Sequence, residues 1–118
     1  MPRQALELLA RGQGVWSDLP ARKRRDQLAH MSDLLDDLYP GLRLFLFDGR
    51  AMFSIPYTIF GPYRAAIYVG GMYMVLNATQ PIQTMTRHFD KLVRAAVVNA
   101  HEASNFVSSL RSQVIDDT

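Results

Sequence analysis

Residues 42–79 read LRLFLFDGRAMFSIPYTIFGPYRAAIYVGGMYMVLNAT, and the interpretation of this stretch decides the fold. Four short apolar runs are separated by connections rich in Gly, Pro and Asp, the pattern of an antiparallel meander. Residues 42–47 are apolar on both faces apart from Arg43, as expected of a strand in the middle of a sheet. Asp48-Gly49 is a hairpin signal, because both central positions of a type I′ turn need positive φ. Residues 52–57 supply a second strand, and Pro56, which lacks a ladder donor, marks an edge or a bulge. Phe60-Gly61-Pro62 turns the chain into a third strand over 65–69. Gly70-Gly71 then makes a second tight hairpin into a fourth strand over 72–76.

Helices are predicted on both sides of the meander. Residues 2–10 form a short helix with Leu6, Leu9 and Ala10 on one face, ended by Gly12 and Gly14. Ser17-Asp18-Leu19-Pro20 starts a second, with a capping side chain and Pro in the first turn. Leu28, Met31, Leu34, Leu35 and Leu38 carry it to the Tyr39-Pro40-Gly41 stop. Pro81 opens a third helix, whose stripe of Ile82, Met85, Phe89, Leu92, Val93, Ala96 and Val97 is spaced to cover a sheet. Asn99 and Glu102 have capping-box spacing for a fourth, continued by Ala103, Phe106, Val107, Leu110 and Val114. The tail Asp116-Asp117-Thr118 is expected to fray. The fold class is thus α+β: a four-stranded antiparallel β-meander flanked by two N-terminal and two C-terminal helices. At 118 residues the chain is expected to be a single domain. Within it, 1–40 are helical, 42–79 form the sheet and 80–115 form the C-terminal helices.

Composition narrows the function classes. An apolar content of 48% with 20% charged residues is that of a globular protein and argues against disorder. The absence of cysteine removes disulfides, thiolate metal sites and a cysteine nucleophile, and fits a reducing cytoplasm. No apolar run has the length of a membrane-spanning helix, and the first residues lack a signal-peptide pattern. A net charge of +2 does not by itself imply nucleic acid.

The usual dinucleotide, P-loop, nucleophile-elbow and zinc-protease patterns are absent. His30, His88 and His101 fall on three different predicted helices, without the spacing of a zinc site. Paired carboxylates occur at Asp36-Asp37 and Asp116-Asp117, a helix end and a tail, where nothing tunes an acid against a base. The sequence points away from an enzyme and implies no cofactor or metal.

Two clusters carry chemistry. The first is Tyr57, Tyr63, Arg64 and Tyr68 on the second hairpin, with Phe60 and Tyr73 nearby, joined by Arg87 and His88 from the third helix. Arg64 and Arg87 are expected to face a shared concavity lined by the tyrosines, suited to a small carboxylate or phosphate. The plainer alternative is that the tyrosines pack the sheet and reach water with their hydroxyls, and that His88 is a hydrogen-bonded structural residue. The second cluster is the run Arg22, Lys23, Arg24 and Arg25 in a first helical turn, where positive charge opposes the helix dipole. It is either a phosphate-binding, nucleic-acid-contacting patch or a solvated face balanced by Asp26, Asp33, Asp36 and Asp37. Trp16 is expected to anchor against the core or another subunit.

The stretches LDDLYPGLRLFLFDGR, FSIPYTIFGPYRAAIYVG and TRHFDKLVRAAVV resemble the C-terminal domain of helix-turn-helix transcriptional regulators of alphaproteobacteria. With the preceding helix the resemblance covers residues 28–98. It implies a regulatory or oligomerising domain normally attached to a DNA-binding one, and it carries over no catalytic or binding residue. The chain departs from such regulators at GQGVWSDLP, residues 12–20, which is too long for a helix-turn-helix and lacks its tight turn. The resulting expectation is a non-catalytic sensor and dimerisation domain, or a stand-alone relative of one. It would be cytoplasmic and homodimeric, with a possible DNA contact made directly or through an attached helix-turn-helix domain. A small nucleic-acid-binding protein using the basic run, or an enzyme with an unfamiliar site, are the alternatives.

Overall fold

The computed structural model describes residues 1–115, and the tail Asp116, Asp117 and Thr118 lies outside the described residues. The fold is α+β. Four α-helices occur among the described residues, α1 (Arg3–Arg11), α2 (Ala21–Leu38), α3 (Thr79–Arg94) and α4 (Ala103–Ser112). They accompany a three-stranded antiparallel sheet of β1 (Tyr57–Phe60), β2 (Arg64–Val69) and β3 (Met72–Leu76), in the order β1-β2-β3. The chain folds as two compact units, Met1–Gly49 with Ala96–Thr118, and Arg50–Ala95.

The first unit is helical. Leu6, Leu9 and Ala10 of α1, Ala21, Leu28 and Leu35 of α2, and Ala103, Val107 and Leu110 of α4 close around a common core. The most extensive helix contact is between α2 and α4. Small residues allow the two axes to approach: buried Ser32 donates its hydroxyl to the Ser104 carbonyl at 3.2 Å, and Ala103 has no exposed surface. Gly12 closes α1 in the left-handed region (φ 64°, ψ 42°), and the Gly12 and Gln13 N–H groups bond back to Leu9 and Leu8. This is the Schellman arrangement that glycine adopts without steric cost. The 3-10 turn Gly14–Trp16 then leads to α2, which starts directly after Pro20 without the expected Ser17 cap.

The first expected strand is overturned. Residues 42–47 do not join the sheet; they run through the helical unit, where Leu46 and Phe47 are buried. Leu46 makes an isolated antiparallel bridge with Val98, and Phe47 an isolated parallel one with Pro2. Only the end of the apolar run is buried, Leu42 being 45% exposed, and helices and two chain segments cover that end instead of neighbouring strands. A short apolar run does not distinguish these settings. The Asp48-Gly49 hairpin goes with it. Neither residue has positive φ, and the Gln4 side chain holds them instead, donating to Asp48 Oδ1 at 2.7 Å and accepting the Gly49 N–H at 2.8 Å.

The second unit holds the sheet and α3. The expected strand at 52–57 begins only at Tyr57 and runs on through Phe60, because Pro56 offers no N–H. Its carbonyl is used, accepting the Tyr68 N–H at 3.2 Å. A three-residue connection, Gly61-Pro62-Tyr63, leads to β2, and Gly61 takes φ 64°. The Gly70-Gly71 hairpin forms as expected, with φ of 56° and 84°, the two positive values a type I′ turn requires. α3 starts two residues before Pro81 and stops at Arg94, so Ala96 and Val97 fall outside it. The Val97 N–H bonds to the Leu46 carbonyl at 2.8 Å instead of continuing the helix. Helices therefore do not flank a sheet in pairs: α1, α2 and α4 make one unit, and α3 alone accompanies the strands.

Candidate functional site

Directly paired residues of an antiparallel sheet share a face. The register Tyr57↔Ile67, Ile59↔Ala65 and Ala65↔Leu76 puts Tyr57, Ile59, Ala65, Ile67, Val69, Met72, Met74 and Leu76 on one face. Thr58, Phe60, Arg64, Ala66, Tyr68, Tyr73 and Val75 occupy the other. α3 packs on the β1 side of the first face, and Val69, Met72 and Met74 at its far side stay exposed. Ile82 and Ala65 are fully enclosed there, and His88 packs on Tyr57 with ring centroids 6.0 Å apart. The second face is uncovered: Phe60, Tyr73 and Val75 are 61%, 72% and 70% exposed.

This register separates the two arginines. Arg64 stands on the uncovered face opposite Phe60, whereas Arg87 belongs to the helix on the other side. The shared Arg64–Arg87 concavity is not formed. Tyr68 goes with Arg64, its ring 5.1 Å from that of Tyr73. Tyr57 and His88 make their own ring contact between β1 and α3. Burial raises the Tyr57 phenol above its usual value of 10.0, with the Ser54 side chain opposing in part. The Tyr57 hydroxyl oxygen is enclosed and makes no well-aligned hydrogen bond, the Ser54 side chain being its polar neighbour.

Arg87 and Tyr63 do meet. They line a groove of about 740 Å³ between α3 and the β1–β2 connection, together with Ile59, Pro62, Ile82 and the polar side chains of Thr79, Gln83 and Thr86. Positions 79, 83, 86 and 87 fall on one helical face, beside the apolar stripe that packs on the sheet. The exposed Arg87 guanidinium is steadied by donation to Thr84 Oγ1 at 3.3 Å. The Thr86 hydroxyl is donated to the Ile82 carbonyl at 2.9 Å, so the groove offers a cation, the Thr79 and Tyr63 hydroxyls and an amide over an apolar floor, the equipment to hold a small anion with an apolar portion.

The basic run does not present four cations. Arg24 is 5% exposed and turns into the first unit, where it donates to the Leu19 carbonyl and, at 3.5 Å, to that of Ile115. Arg22 and Lys23 are exposed and Arg25 is half-buried. Lys23 borders a second groove of about 500 Å³ lined by Leu6, Leu9, Trp16, Leu19 and Met31. This groove was missed in the sequence. The signal was there in the apolar face of α1 and the lone Trp16 of the connection, which lines the groove at the edge of the core. Among the described residues, no three His, Asp or Glu side chains gather where they could hold a metal ion. No helix of the described residues is long and apolar enough to cross a membrane. Comparison of the chain with protein-family models, curated proteins and solved structures finds no match.

Proposed function

We propose that the chain is a non-catalytic sensor and dimerisation module of a cytoplasmic transcriptional regulator, or a stand-alone relative of such a module. The observation that carries this reading is the exposed β3 side of the sheet, with its open edge. Tyr68, Tyr73 and Val75 make an exposed, largely apolar patch around Ala66 on the β3 side of that face, Phe60 and Arg64 share its other end, and β3 at its edge contains no charged residue. Soluble chains seldom leave such surface in water unless it is a contact site. The resemblance of the three stretches to regulator domains supplies the biological setting, in which DNA is reached through an attached helix-turn-helix domain. The sensing half of the reading rests on the Arg87 groove, whose chemistry suits a small carboxylate or phosphate.

Sedimentation velocity at tens of micromolar, roughly the range of weak biological dimers, tests the assembly. A dimer is expected, and Tyr73→Lys should shift it toward monomer. A parent chain that sediments as a pure monomer across that range overturns the proposal.

A further inference from the structure

We infer that two copies join edge to edge, β3 pairing antiparallel with the partner's β3 about a two-fold axis at Met74 to make one six-stranded sheet. This rests on the reading of the chain as a homodimer and specifies the contact.

The backbone decides which groups are free. The Tyr68 N–H bonds to the Pro56 carbonyl on the β1 side. Along a strand, backbone groups point alternately to one neighbour and the other. Tyr68 and Ala66 therefore turn toward β1, and Ile67, Val69 and Ala65 toward β3. Ile67 faces Met74 in the register, so Met74 spends its N–H and C=O on β2. Tyr73 and Val75 then aim theirs at the open edge, two donors and two acceptors in a row.

The side chains say what should fill that edge. Met72 and Met74 stand on the face that carries α3, Tyr73 and Val75 on the uncovered one, and all four are at least half exposed. A partner laid on the uncovered face would leave the two methionines in water. A strand added at the edge flanks both faces at once. The four residues expose on the order of 500 Å² per copy, so pairing buries at most about 1,000 Å² in total, the range of weak, transient interfaces. The sheet's other edge is a poorer template, because β1 has four residues and enters from Pro56.

A second copy fits because the strand is complementary to itself. With the axis at Met74, Tyr73 lies opposite the partner's Val75, and each such pair exchanges two N–H···O=C bonds, four in all. Met72 lies opposite the partner's Leu76, and Met74 opposite the partner's Met74. Met-Tyr-Met-Val-Leu contains no charge, so no like charges meet in this isologous pairing.

The test uses the full chain, which has no cysteine of its own. Met74 and the partner's Met74 form a non-hydrogen-bonded pair, with Cα atoms about 4.5 Å apart, inside the disulfide range of roughly 4.4–6.8 Å. Met74→Cys should cross-link to a dimer on mild oxidation, and Tyr73→Cys, displaced two positions from its counterpart, should cross-link far more slowly. Val75→Pro removes an edge-facing N–H and leaves the β2–β3 bonds intact, so it should weaken dimerisation at least tenfold with an unchanged circular dichroism spectrum. A parent that dimerises while Met74→Cys cross-links no faster than Tyr73→Cys overturns the edge pairing and leaves the dimer standing. A monomeric parent overturns the functional reading with it. If Val75→Pro misfolds, the Met74→Cys and Tyr73→Cys comparison decides alone.

Discussion

The Arg24 guanidinium lies against Gly12 so closely that a Cβ added to the glycine would come within 2.6 Å of Nη1. Two unrelated requirements meet there. Gly12 needs φ 64° to close α1, and its missing side chain leaves the space in which a buried cation reaches the Leu19 carbonyl. Gly12→Ala should therefore destabilise the helical unit by more than the roughly 1–2 kcal/mol that a left-handed Cβ costs by itself. Urea unfolding followed by the Trp16 fluorescence reads it, and an unchanged midpoint would refute the account.

The same contact separates the members of the basic run. Arg24→Ala removes a buried charged donor from the Leu19 and Ile115 carbonyls and leaves a cavity, a loss of about 1.5–3 kcal/mol. Arg22→Ala and Lys23→Ala alter exposed side chains and should stay within about 0.5 kcal/mol. Equal responses from Arg22→Ala and Arg24→Ala in the same urea titration would mean that Arg24 is not the structural member.

That contrast shows what was legible in the sequence. Helical spacing located α1, α2 and α3 to within a few residues, because an apolar stripe at that period has one stable use. Gly70-Gly71 fixed its hairpin because the turn depends on its own two φ angles alone. Residues 42–47 and Arg24 were not legible, since their settings depend on residues far along the chain. Leu46 pairs with Val98, and Gln4 takes Asp48 and Gly49 out of the turn they would otherwise make. The cluster of Arg64 and Arg87 failed for a related reason. Strand alternation does assign Arg64 to a face, but which face α3 covers follows from packing.

Tyr57 gives the sheet unit a pH dependence of definite sign. Burial raises its folded pKa above the unfolded value of 10.0, so the folded phenol holds its proton where the unfolded one has released it. The associated stability is fully present below pH 10 and is lost as pH rises through the folded pKa. Tyr57→Phe has no such loss. At neutral pH it also removes an enclosed oxygen that makes no well-aligned hydrogen bond, so the variant should be about as stable as the parent there. The difference between their urea midpoints, followed from pH 8 to 11, should grow in favour of Phe above 10. Parallel curves would show that the phenol ionises as it does in the unfolded chain.

Arg64 and Arg87 should respond differently to anions. Arg87 faces the groove with Thr79, Gln83 and Thr86, whereas Arg64 stands on the uncovered face beside Phe60 and Tyr68. A ligand that binds the folded chain raises its melting temperature in proportion to occupancy. Phosphate and a panel of small carboxylates should therefore stabilise the parent and Arg64→Ala alike, and Arg87→Ala should lose most of the shift. Arg87→Lys keeps the charge but not the two-pronged geometry, and should keep only part of it. The unliganded melting temperature should hardly change in any of the three, because both arginines are exposed. A shift that survives Arg87→Ala and disappears with Arg64→Ala would move the anion site to the open face of the sheet. No shift in any variant would leave the groove without an anionic ligand.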